Sequence, residues 1–280
     1  MTYNLLSGKR GIIFGALDSN SIAWKVAKRC YEEGAIFTLT NAPIALRKKD
    51  IFDLASQCGD MPVIPADITS IKDLEKLFDE SMKLMGGRID FILHAVGMSP
   101  NVRKGLHYTE LNYDYFKKTL DVSAMSLHKV LSVARRKDAI STWGSVVTLS
   151  YIASGRTFSS YSDMAQAKAM LESIVRSFGY HYGVARKVRI NAVSQSPTVT
   201  TAGQGVKGFK AFAHYADCMS PLGNASAESC ADFCVTLFSD LTKMITMQTI
   251  YNDGGYSTMG ISDKLINDCF NCSDDCKKED

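Results

Sequence analysis

Gly11-Ile-Ile-Phe-Gly15, followed after a short turn by the helical pattern of residues 22–30, is the stretch that decides the fold of this chain. An unbroken apolar run of this length is typical of a strand that is covered on both faces. The apolar side chains that follow fall on one face of a helix that Gly34 ends, and they are Ile22, Ala23, Val26, Ala27 and Cys30. Residues 11–34 therefore predict one strand–turn–helix unit of a parallel sheet.

The same alternation of short apolar runs and longer helical patterns continues along the chain. Six further strand candidates occupy residues 35–39, 62–66, 89–95, 145–149, 188–193 and 247–251. Helical patterns lie between them, for instance at residues 71–84, 162–182 and 227–239. We predict an α/β fold, a doubly wound sheet of seven mainly parallel strands with helices on both faces. Since no linker, repeat or low-complexity tract divides residues 1–280, we expect one domain with a short polar tail from about residue 264.

Composition and charge argue against several classes of protein. Of the 280 residues, 46% are hydrophobic and 22% are charged, as in ordinary globular proteins, and the net charge is only +3. This charge does not favour a nucleic acid or a membrane surface as a partner. Residues 1–10 contain no signal-peptide core, and no apolar run approaches the ~20 residues of a membrane span. We therefore expect a cytoplasmic protein with neither nucleic acid nor membrane as partner.

The eight cysteines fall into two groups. Five are scattered through apparent helices and loops, where we expect buried or half-buried thiols: Cys30, Cys58, Cys218, Cys230 and Cys234. The others, Cys269, Cys272 and Cys276, lie close together in the polar tail, where part of a zinc site or a disulfide is one interpretation. A zinc site with four ligands needs one more ligand besides these three cysteines, and the tail after Cys269 has no histidine to supply it. A frayed terminus without a function is the alternative that we favour, so no metal site is predicted.

The turn after the first strand is the first candidate nucleotide contact. In doubly wound sheets a ligand binds beyond the carboxyl ends of the strands, and the first strand-to-helix turn usually holds phosphate. Only Gly15 of a G-x-G-x-x-G pattern is present, and a glycine after a strand is often no more than a turn. Ser21 strengthens the prediction because it is placed to cap the following helix and offers a hydroxyl.

The ends of the next three predicted strands carry further candidates. A carboxylate that accepts from the adenosine ribose normally follows the second strand, but Thr40-Asn41-Ala42 stands there. The nearby Arg47-Lys48-Lys49 suits either a ribose 2′-phosphate or a solvated helix face. Asp67, after the third strand, offers a carboxylate to the adenine amino group. His94-Ala95-Val96-Gly97 follows the fourth strand, and its glycine lets the backbone approach a cofactor.

The strongest local signal is Tyr161-Ser-Asp-Met-Ala-Gln-Ala-Lys168, at the start of a predicted helix. Seven residues at ~100° each make nearly two turns, so both side chains lie on one face about 10 Å apart along the axis. An ammonium group in that place can hydrogen-bond the ribose of a nicotinamide, and its positive field favours a phenol as proton donor or oxyanion partner. The free tyrosine pKa of about 10 suits such a donor. Its position after the fifth predicted strand makes the pair far more specific than the spacing alone.

Tyr161 and Lys168 in this architecture resemble the short-chain dehydrogenase/reductase superfamily, and further motifs resemble its divergent enoyl-[acyl-carrier-protein] reductase branch. That branch has a long first turn ending Ser-Ile-Ala, as in Gly15 … Ser21-Ile22-Ala23, and a second tyrosine after the fifth strand, as in Ser150-Tyr151. Three other segments are similar to motifs of the branch, although Ala95 replaces a serine: His94-Ala95-Val96-Gly97, Arg189-Ile-Asn-Ala-Val-Ser-Gln-Ser-Pro197 and Asn252-Asp253-Gly254-Gly255. The resemblance covers about residues 3–262.

The resemblance implies a Rossmann-type fold and an NAD(P)H-dependent reductase. Such an enzyme transfers hydride to the double bond of a trans-2-enoyl thioester on acyl carrier protein, in the last step of the fatty-acid elongation cycle. NADH is the expected cofactor, but Ala42 stands where many NADH-using members have glutamine, so NADPH stays an open alternative. The resemblance also implies a homotetramer, and a flexible loop of residues 200–209 that closes over the acyl chain.

The resemblance assigns roles to individual residues as well. The catalytic set is Tyr151, Tyr161 and Lys168. The residues expected to hold the dinucleotide are Gly15, Ser21, Ile22, Asp67, Ile68, Val96, Lys168, Thr198, Val199, Thr200, Thr201 and Ala202. The residues expected to contact the substrate are Ser99, Tyr151, Met164, Val206 and Phe209. Lys207 and Lys210 flank the loop, where they either meet the acidic carrier protein or its phosphopantetheine phosphate, or are simply solvated.

Two other functions are compatible with such a fold. An ordinary short-chain dehydrogenase needs a serine about a dozen residues before the tyrosine to hold a carbonyl, but Thr148 and Leu149 occupy that zone and Tyr151 follows. A non-catalytic nucleotide sensor generally loses the tyrosine or the lysine, and this chain keeps both. The enoyl reductase is therefore the function that we predict.

Overall fold

Six parallel strands form one sheet in the computed structural model, which describes residues 2–200 and 208–268. The strands are β1 (Arg10–Phe14), β2 (Ile36–Thr40), β3 (Ile89–His94), β4 (Ile140–Ser150), β5 (Arg189–Gln195) and β6 (Thr249–Asn252). Their order in the sheet is β2-β1-β3-β4-β5-β6, and every neighbouring pair is parallel. The doubly wound α/β arrangement predicted from the sequence is confirmed.

Helices connect the strands and cover both faces of the sheet. They are α1 (Ile22–Glu32), α2 (Asp50–Gln57), α3 (Ile71–Met85), α4 (Pro100–Arg103), α5 (Tyr113–Leu120), α6 (Ser126–Arg136), α7 (Ser162–Arg186), α8 (Phe209–Met219) and α9 (Ala227–Phe238). Serine hydroxyls cap four of them, because Ser21, Ser70, Ser99 and Ser226 accept hydrogen bonds from backbone N–H groups in the first turns of α1, α3, α4 and α9. Within the described ranges, no helix has the length and apolar character to cross a membrane.

Two apolar cores lie on opposite faces of the sheet. Successive side chains of a strand point to opposite faces, so Ile12 and Phe14 of β1 pack in one core while Ile13 packs in the other. The first core includes residues of α3, α6 and α7, and the second includes residues of α1, α2 and α9. The run of residues 11–15 is therefore apolar because both faces of its strand are buried. The five cysteines of the described ranges are buried too, as expected.

The prediction of seven strands is wrong by one, because residues 62–66 do not form a strand of the sheet. They run beside β2 at its outer edge, where Leu39 and Val63 form an isolated parallel bridge. The N–H groups of Ile64 and Ala66 face β2, and Pro62, two residues before Ile64, has no N–H group to extend the ladder in that direction. Backbone hydrogen bonds still fix the segment, one of them from Ile64 N to Leu39 O at 3.0 Å.

The strand order reverses at β1, which lies between β2 and β3. The chain leaves β1 toward β2 on one side and later returns to β3 on the other, so a crevice opens between the carboxyl ends of β1 and β3. The segments that follow β4 and β5 border the same edge because all six strands of the described sheet are parallel. A ligand site is expected at this edge.

Candidate active site

A cleft of about 560 Å³ lies at the carboxyl ends of β1, β3, β4 and β5. This volume is within the usual range of small-molecule sites, about 300–1,000 Å³. Segments that are far apart in the chain meet here because the parallel sheet aligns their strand ends. Twelve residues that the sequence singled out for the site line the cleft: Gly15, Ser21, Ile22, Val96, Ser99, Tyr151, Tyr161, Met164, Lys168, Thr198, Thr200 and Phe209.

Some of the predicted residues do not belong to this lining. Asp67, Ile68 and Val199 are described but lie outside it. The carboxylate of Asp67 accepts from the N–H and the hydroxyl of Thr69, at 2.9 and 2.7 Å. Partial desolvation raises the pKa of Asp67, but these hydrogen bonds and nearby lysines outweigh it, so the pKa is lowered. The cofactor-binding roles of Asp67, Ile68 and Val199 stay predictions. The remaining candidates lie outside the described residues, and they are Thr201, Ala202, Val206, Lys207, Cys269, Cys272 and Cys276.

Lys168 extends from α7 to the end of β4. Its Nζ donates a hydrogen bond of 2.7 Å to the backbone carbonyl of Leu149, and the side chain is buried. Desolvation lowers the pKa of Lys168 to about 8, against the opposing effect of the Glu172 carboxylate. Glu172 in turn accepts a 2.5 Å hydrogen bond from the hydroxyl of Ser150. Since an ammonium group carries three protons, Lys168 can donate to a ligand in the cleft as well.

Tyr151 and Tyr161 lie side by side in the cleft, with ring centroids 5.1 Å apart. Phe158 packs against Tyr151, with centroids 5.2 Å apart. Burial raises the pKa of both phenols above that of free tyrosine. Both side chains are therefore neutral at physiological pH, and each can donate a hydrogen bond to an oxygen atom that gains negative charge.

The backbone next to Tyr161 is strained. Ser162, the first residue of α7, has a φ of +47°, in the left-handed region that residues with a Cβ rarely adopt. Its hydroxyl is buried and has no hydrogen-bond partner among the described residues. Such strain persists only where the surrounding structure enforces it, and it is frequent at functional sites. The packing of α7 therefore fixes the direction in which the chain passes Tyr161.

A buried carboxylate organises the neighbouring side of the cleft. Asp163 is fully buried and accepts hydrogen bonds from Ser99 Oγ at 2.6 Å and from Asn101 Nδ2 at 2.8 Å. Ser99 Oγ also accepts from the N–H of Val102 and so begins α4. The hydroxyl proton of Ser99 is therefore directed at the protein, and its contact with substrate stays a prediction. Sequence reasoning missed Asp163, because a carboxylate in the first turn of a helix is common for reasons of the helix dipole alone.

His94 connects β3 to its neighbours from a buried position. Its Nε2 lies 2.9 Å from Ser126 Oγ, and its Nδ1 lies 2.9 Å from Thr148 Oγ1. Ser126 donates its own proton to Val122 O, whereas Thr148 Oγ1 can donate either to Nδ1, at 2.9 Å, or to His94 O, at 3.2 Å. A neutral ring therefore carries its proton on Nε2 and accepts from Thr148 at Nδ1. Desolvation, with a contribution from the charge of Lys168, lowers the pKa of His94 to about 3. This imidazole is neutral and structural.

Two glycines shape the cleft. Gly15 has a φ of +96°, and a Cβ there would lie 2.2 Å from Ala95 O, so the turn after β1 admits no side chain. At Gly97 a Cβ would point toward Met164 Cε, at 3.4 Å, and Lys168 Nζ, at 3.9 Å. The missing side chain at Gly97 leaves the space beside the ammonium group open to a ligand.

The end of β2 borders the cleft near the N-terminus of α1. Asn41 donates from Nδ2 to Ala16 O at 2.9 Å and accepts from the N–H of Ala42 at 2.8 Å. Its side chain is therefore engaged in the turn after β1. Arg47 is exposed and does not line the described cleft, which favours the solvated interpretation for this member of the basic trio.

Apolar side chains close the other end of the cleft. Met164 and Phe209 line this end, and their contact with substrate stays a prediction. Phe158 and Phe212 lie there too, with ring centroids 6.1 Å apart. Sequence reasoning missed these two phenylalanines, because isolated aromatic residues in a loop and in a helix show no pattern that separates a cleft wall from ordinary core. Phe209 begins α8, directly after Gly208, whose φ is +79°.

Comparison with known proteins identifies the family. Residues 15–257 match the family model described as enoyl-(acyl carrier protein) reductase. A curated relative, the enoyl-[acyl-carrier-protein] reductase [NADH] 2 of Rhizobium meliloti, is 34% identical over a segment that covers 90% of this chain and 93% of the relative.

Two solved structures have the same fold and at least 30% sequence identity to this chain. FabI from Alistipes finegoldii, in complex with NADH, has a TM-score of 0.92 and 60% identity, covering 94% of this chain and 92% of that chain. The Bacillus cereus enoyl-acyl carrier protein reductase, with NADP+ and indole naphthyridinone, has a TM-score of 0.85 and 30% identity, covering 93% and 100%. With the family match across most of its length and a cleft that gathers the motif residues, this chain belongs to the enoyl-(acyl carrier protein) reductase family.

Proposed function

We propose that this chain reduces the double bond of trans-2-enoyl thioesters carried by acyl carrier protein, with NADH as hydride donor, in the last step of the fatty-acid elongation cycle. The observation that carries this function is the meeting of Tyr151, Tyr161 and Lys168 in one cleft. The family match and the NADH-dependent relatives support the same reaction. An ordinary carbonyl reductase is disfavoured, because the hydroxyl of Ser150 is donated to Glu172 and is not directed at a substrate carbonyl.

The cleft fits a nicotinamide dinucleotide on three observations. The N-terminus of α1, with Ser21 and Ile22, presents the positive end of a helix dipole to a pyrophosphate. The space beside Gly97 gives the nicotinamide ribose access to Lys168. The residues that line the cleft at and after the end of β2 are uncharged, so a 2′-phosphate gains no cation from them, and they are Asn41, Ile44 and Ala45. NADH is therefore preferred.

Bound NADH supplies the hydride, and the side chains of this chain prepare the acceptor. Addition of hydride to the β-carbon leaves negative charge on the thioester oxygen. Tyr161, together with Tyr151, donates a phenolic hydrogen bond to that oxygen, which both can do because burial keeps them neutral. Lys168 holds the ribose and adds positive potential. Leu149 O fixes the direction of its ammonium group.

The apolar end of the cleft serves the acyl chain. Phe158, Met164 and Phe212 surround the space next to the tyrosines and exclude water from it. A drier site strengthens each hydrogen bond to the developing enolate, because the effective dielectric constant falls.

We further infer one reductase domain over residues 1–280, with a tail from about 264, that forms a homotetramer in the cytoplasm. The continuous sheet from β2 to β6 supports one domain. Exposed apolar side chains on α7 support contacts between copies, since Tyr180 is 60% and Val184 is 67% exposed. Light scattering after size exclusion measures the mass, and a monomer at micromolar concentration would contradict the tetramer.

Lys210 offers a place for the carrier protein. It is exposed on the first turn of α8, beside Phe209 at the cleft. Replacing Lys207 and Lys210 by Glu is expected to raise KM about tenfold for an enoyl-carrier protein and to leave KM for crotonyl-CoA unchanged, because only the carrier presents an acidic surface. Lys83→Glu, on the exposed face of α3, is the control. Equal effects on both substrates would contradict this role.

Oxidation of NADH and, separately, NADPH at fixed crotonyl-CoA or a longer enoyl thioester tests the function directly. NADH consumption that requires the double bond is expected, with kcat/KM for NADPH at least about tenfold lower. Reduction of acetoacetyl-CoA without reduction of crotonyl-CoA would replace the proposed function with that of an ordinary dehydrogenase.

A further inference from the structure

Three side chains with metal-binding groups meet at the carboxyl end of α8, away from the tyrosines. His214 and Cys218 are four residues apart on α8 and therefore share one face of the helix. Asp268 reaches the same point from a helical segment of residues 263–268. One ligand atom from each of the three lies within 4.8 Å of the other two.

Two of the three separations between these atoms match a tetrahedral site. His214 Nε2 lies 3.6 Å from Cys218 Sγ, and Cys218 Sγ lies 3.7 Å from Asp268 Oδ2. Zinc bonds of about 2.0–2.1 Å to nitrogen, 2.3 Å to thiolate and 2.0–2.2 Å to carboxylate place a thiolate roughly 3.5–3.7 Å from a neighbouring nitrogen or oxygen ligand in a tetrahedral site. The two measured separations therefore need little adjustment around a zinc ion.

Other contacts hold the two segments together and so preorganise the three groups. Ser262 Oγ donates to Cys218 O at 2.7 Å, and Lys264 Nζ pairs with Asp217 Oδ2 at 3.2 Å. Leu265 packs on the apolar cluster that includes Met219. The meeting of the ligand groups thus follows from a docked segment and not from one exposed side chain.

We propose that His214, Cys218 and Asp268 bind a Zn²⁺ ion. A thiolate and a carboxylate together balance the charge of the ion, and a neutral imidazole completes a mixed N, S, O set that suits zinc better than the oxygen-seeking Mg²⁺ or Ca²⁺. Cys218 is buried, whereas His214 and Asp268 are exposed, so the ion has an entry path from solvent. Three protein ligands leave the fourth position for water or another donor.

The ion would fasten the segment of residues 263–268 to α8. The opposite end of α8 carries Phe209 and Phe212, which line the cleft. The site therefore stabilises the helix that borders the acyl-chain end, but it contributes no group to hydride transfer. Its presence is independent of the proposed reductase activity, and metal content can be measured without any turnover.

Metal content of the full chain tests the proposal. After incubation with Zn²⁺ and removal of the excess, we expect about one zinc per chain by elemental analysis, and a melting temperature that rises with zinc. Substitution by Co²⁺ is expected to give a thiolate-to-metal absorption band that is lost in Cys218→Ser. His214→Ala and Asp268→Asn each weaken zinc binding by at least about 100-fold in chelator competition, because each removes a direct ligand.

Matched variants separate this site from other zinc ligands in the chain. His181→Ala, at another exposed histidine, and Cys58→Ser, at another buried cysteine, are expected to keep the zinc. A triple Ser variant of Cys269, Cys272 and Cys276 also keeps a site with His214-dependent binding. Since His214 and Asp268 are exposed, their substitution leaves the fold intact, which NADH binding checks. Absence of stoichiometric zinc, or zinc that is lost only in the triple variant, overturns the proposal.

Discussion

Lys168 Nζ donates a hydrogen bond of 2.7 Å to the backbone carbonyl of Leu149, and this contact joins α7, the helix that Tyr161 directly precedes, to the end of β4. The carbonyl fixes the direction of a buried ammonium group that would otherwise turn freely on four methylene groups. The same strand end leads into Tyr151. This hydrogen bond therefore links the two segments from which all three proposed catalytic side chains extend.

Lys168→Met is expected to weaken NADH binding and to lower kcat/KM by about 10- to 100-fold, the value of a hydrogen bond to a charged group. Fluorescence titration with NADH and steady-state kinetics measure the two effects. The melting temperature should not fall, because the variant removes a desolvated charge from the interior. Lys83→Met, on the exposed surface of α3, serves as the control. Unchanged NADH affinity would move the ribose contact to another residue.

The pH dependence of kcat/KM should follow the ionisation of the Lys168 ammonium group. Desolvation lowers the pKa of Lys168 to about 8, so the free enzyme loses the ammonium form as pH rises through that value. The pKa values of Tyr151 and Tyr161 are raised by burial, and neither phenol ionises in this range. A single basic limb near pH 8 is therefore expected between pH 6 and 10, and Lys168→Arg should remove it because arginine keeps its charge. A limb that persists in this variant would exclude Lys168 as its origin.

The same group links pH to stability with a definite sign. Unfolding returns Lys168 to its ordinary pKa of 10.5, above the folded value of about 8. Between these values the unfolded chain binds more protons, so the contribution of Lys168 to the free energy of unfolding rises with pH, by at most about 1.4 kcal/mol per unit. Chemical denaturation at pH 8 and pH 10 should show this increase in the wild type relative to Lys168→Met. An equal pH dependence in both proteins would contradict it.

Local patterns predicted most of the fold. The alternation of apolar runs and helical patterns identified six strands of the sheet because a parallel strand buried on both faces has an apolar sequence throughout. Residues 62–66 have the same apolar character but form only an isolated bridge with β2 at Val63, and Pro62 cannot donate the hydrogen bond that would extend it. An apolar pattern indicates that a segment is buried, but a strand of a sheet also needs backbone N–H groups that can bond to the neighbouring strand. The predicted strand at residues 62–66 failed for this reason.

The candidate site was predictable where its residues form a contiguous motif. Tyr161 directly precedes α7 and Lys168 lies in its second turn, so their short spacing predicted that both side chains reach one site, although the left-handed Ser162 breaks the helical geometry between them. The bond from Ser99 to Asp163 joins residues 64 positions apart and could not be seen in a single sequence. The positive φ of Ser162 was equally hidden, since serine has no general preference for the left-handed region.

Single substitutions can distinguish the roles of Tyr151 and Tyr161. Tyr161→Phe is expected to lower kcat by very roughly 100-fold, because a hydrogen-bond donor to the enolate oxygen is lost while the ring packing against Tyr151 remains. Compared with Tyr161→Phe, Tyr151→Phe should lower kcat less and change KM for the thioester more. Steady-state kinetics with crotonyl-CoA measure both variants, and Tyr182→Phe, at a buried tyrosine outside the cleft, is the control. A loss of less than threefold in Tyr161→Phe would assign the donor role to Tyr151.

Substitutions at Ser162 should reveal the backbone strain at the start of α7. Glycine adopts a φ of +47° freely, so Ser162→Gly is expected to raise the free energy of unfolding by about 0.5–1 kcal/mol, the relief of left-handed strain less the added chain entropy. It also removes a hydroxyl that is buried without a partner among the described residues. Ser162→Val places a β-branched side chain in the same conformation and should lower stability by at least about 1–2 kcal/mol. Ser162→Asn is the matched control, because asparagine tolerates this region better than valine does. Thermal and urea denaturation measure the three variants, and a valine variant as stable as wild type would show that the residue is not held at positive φ.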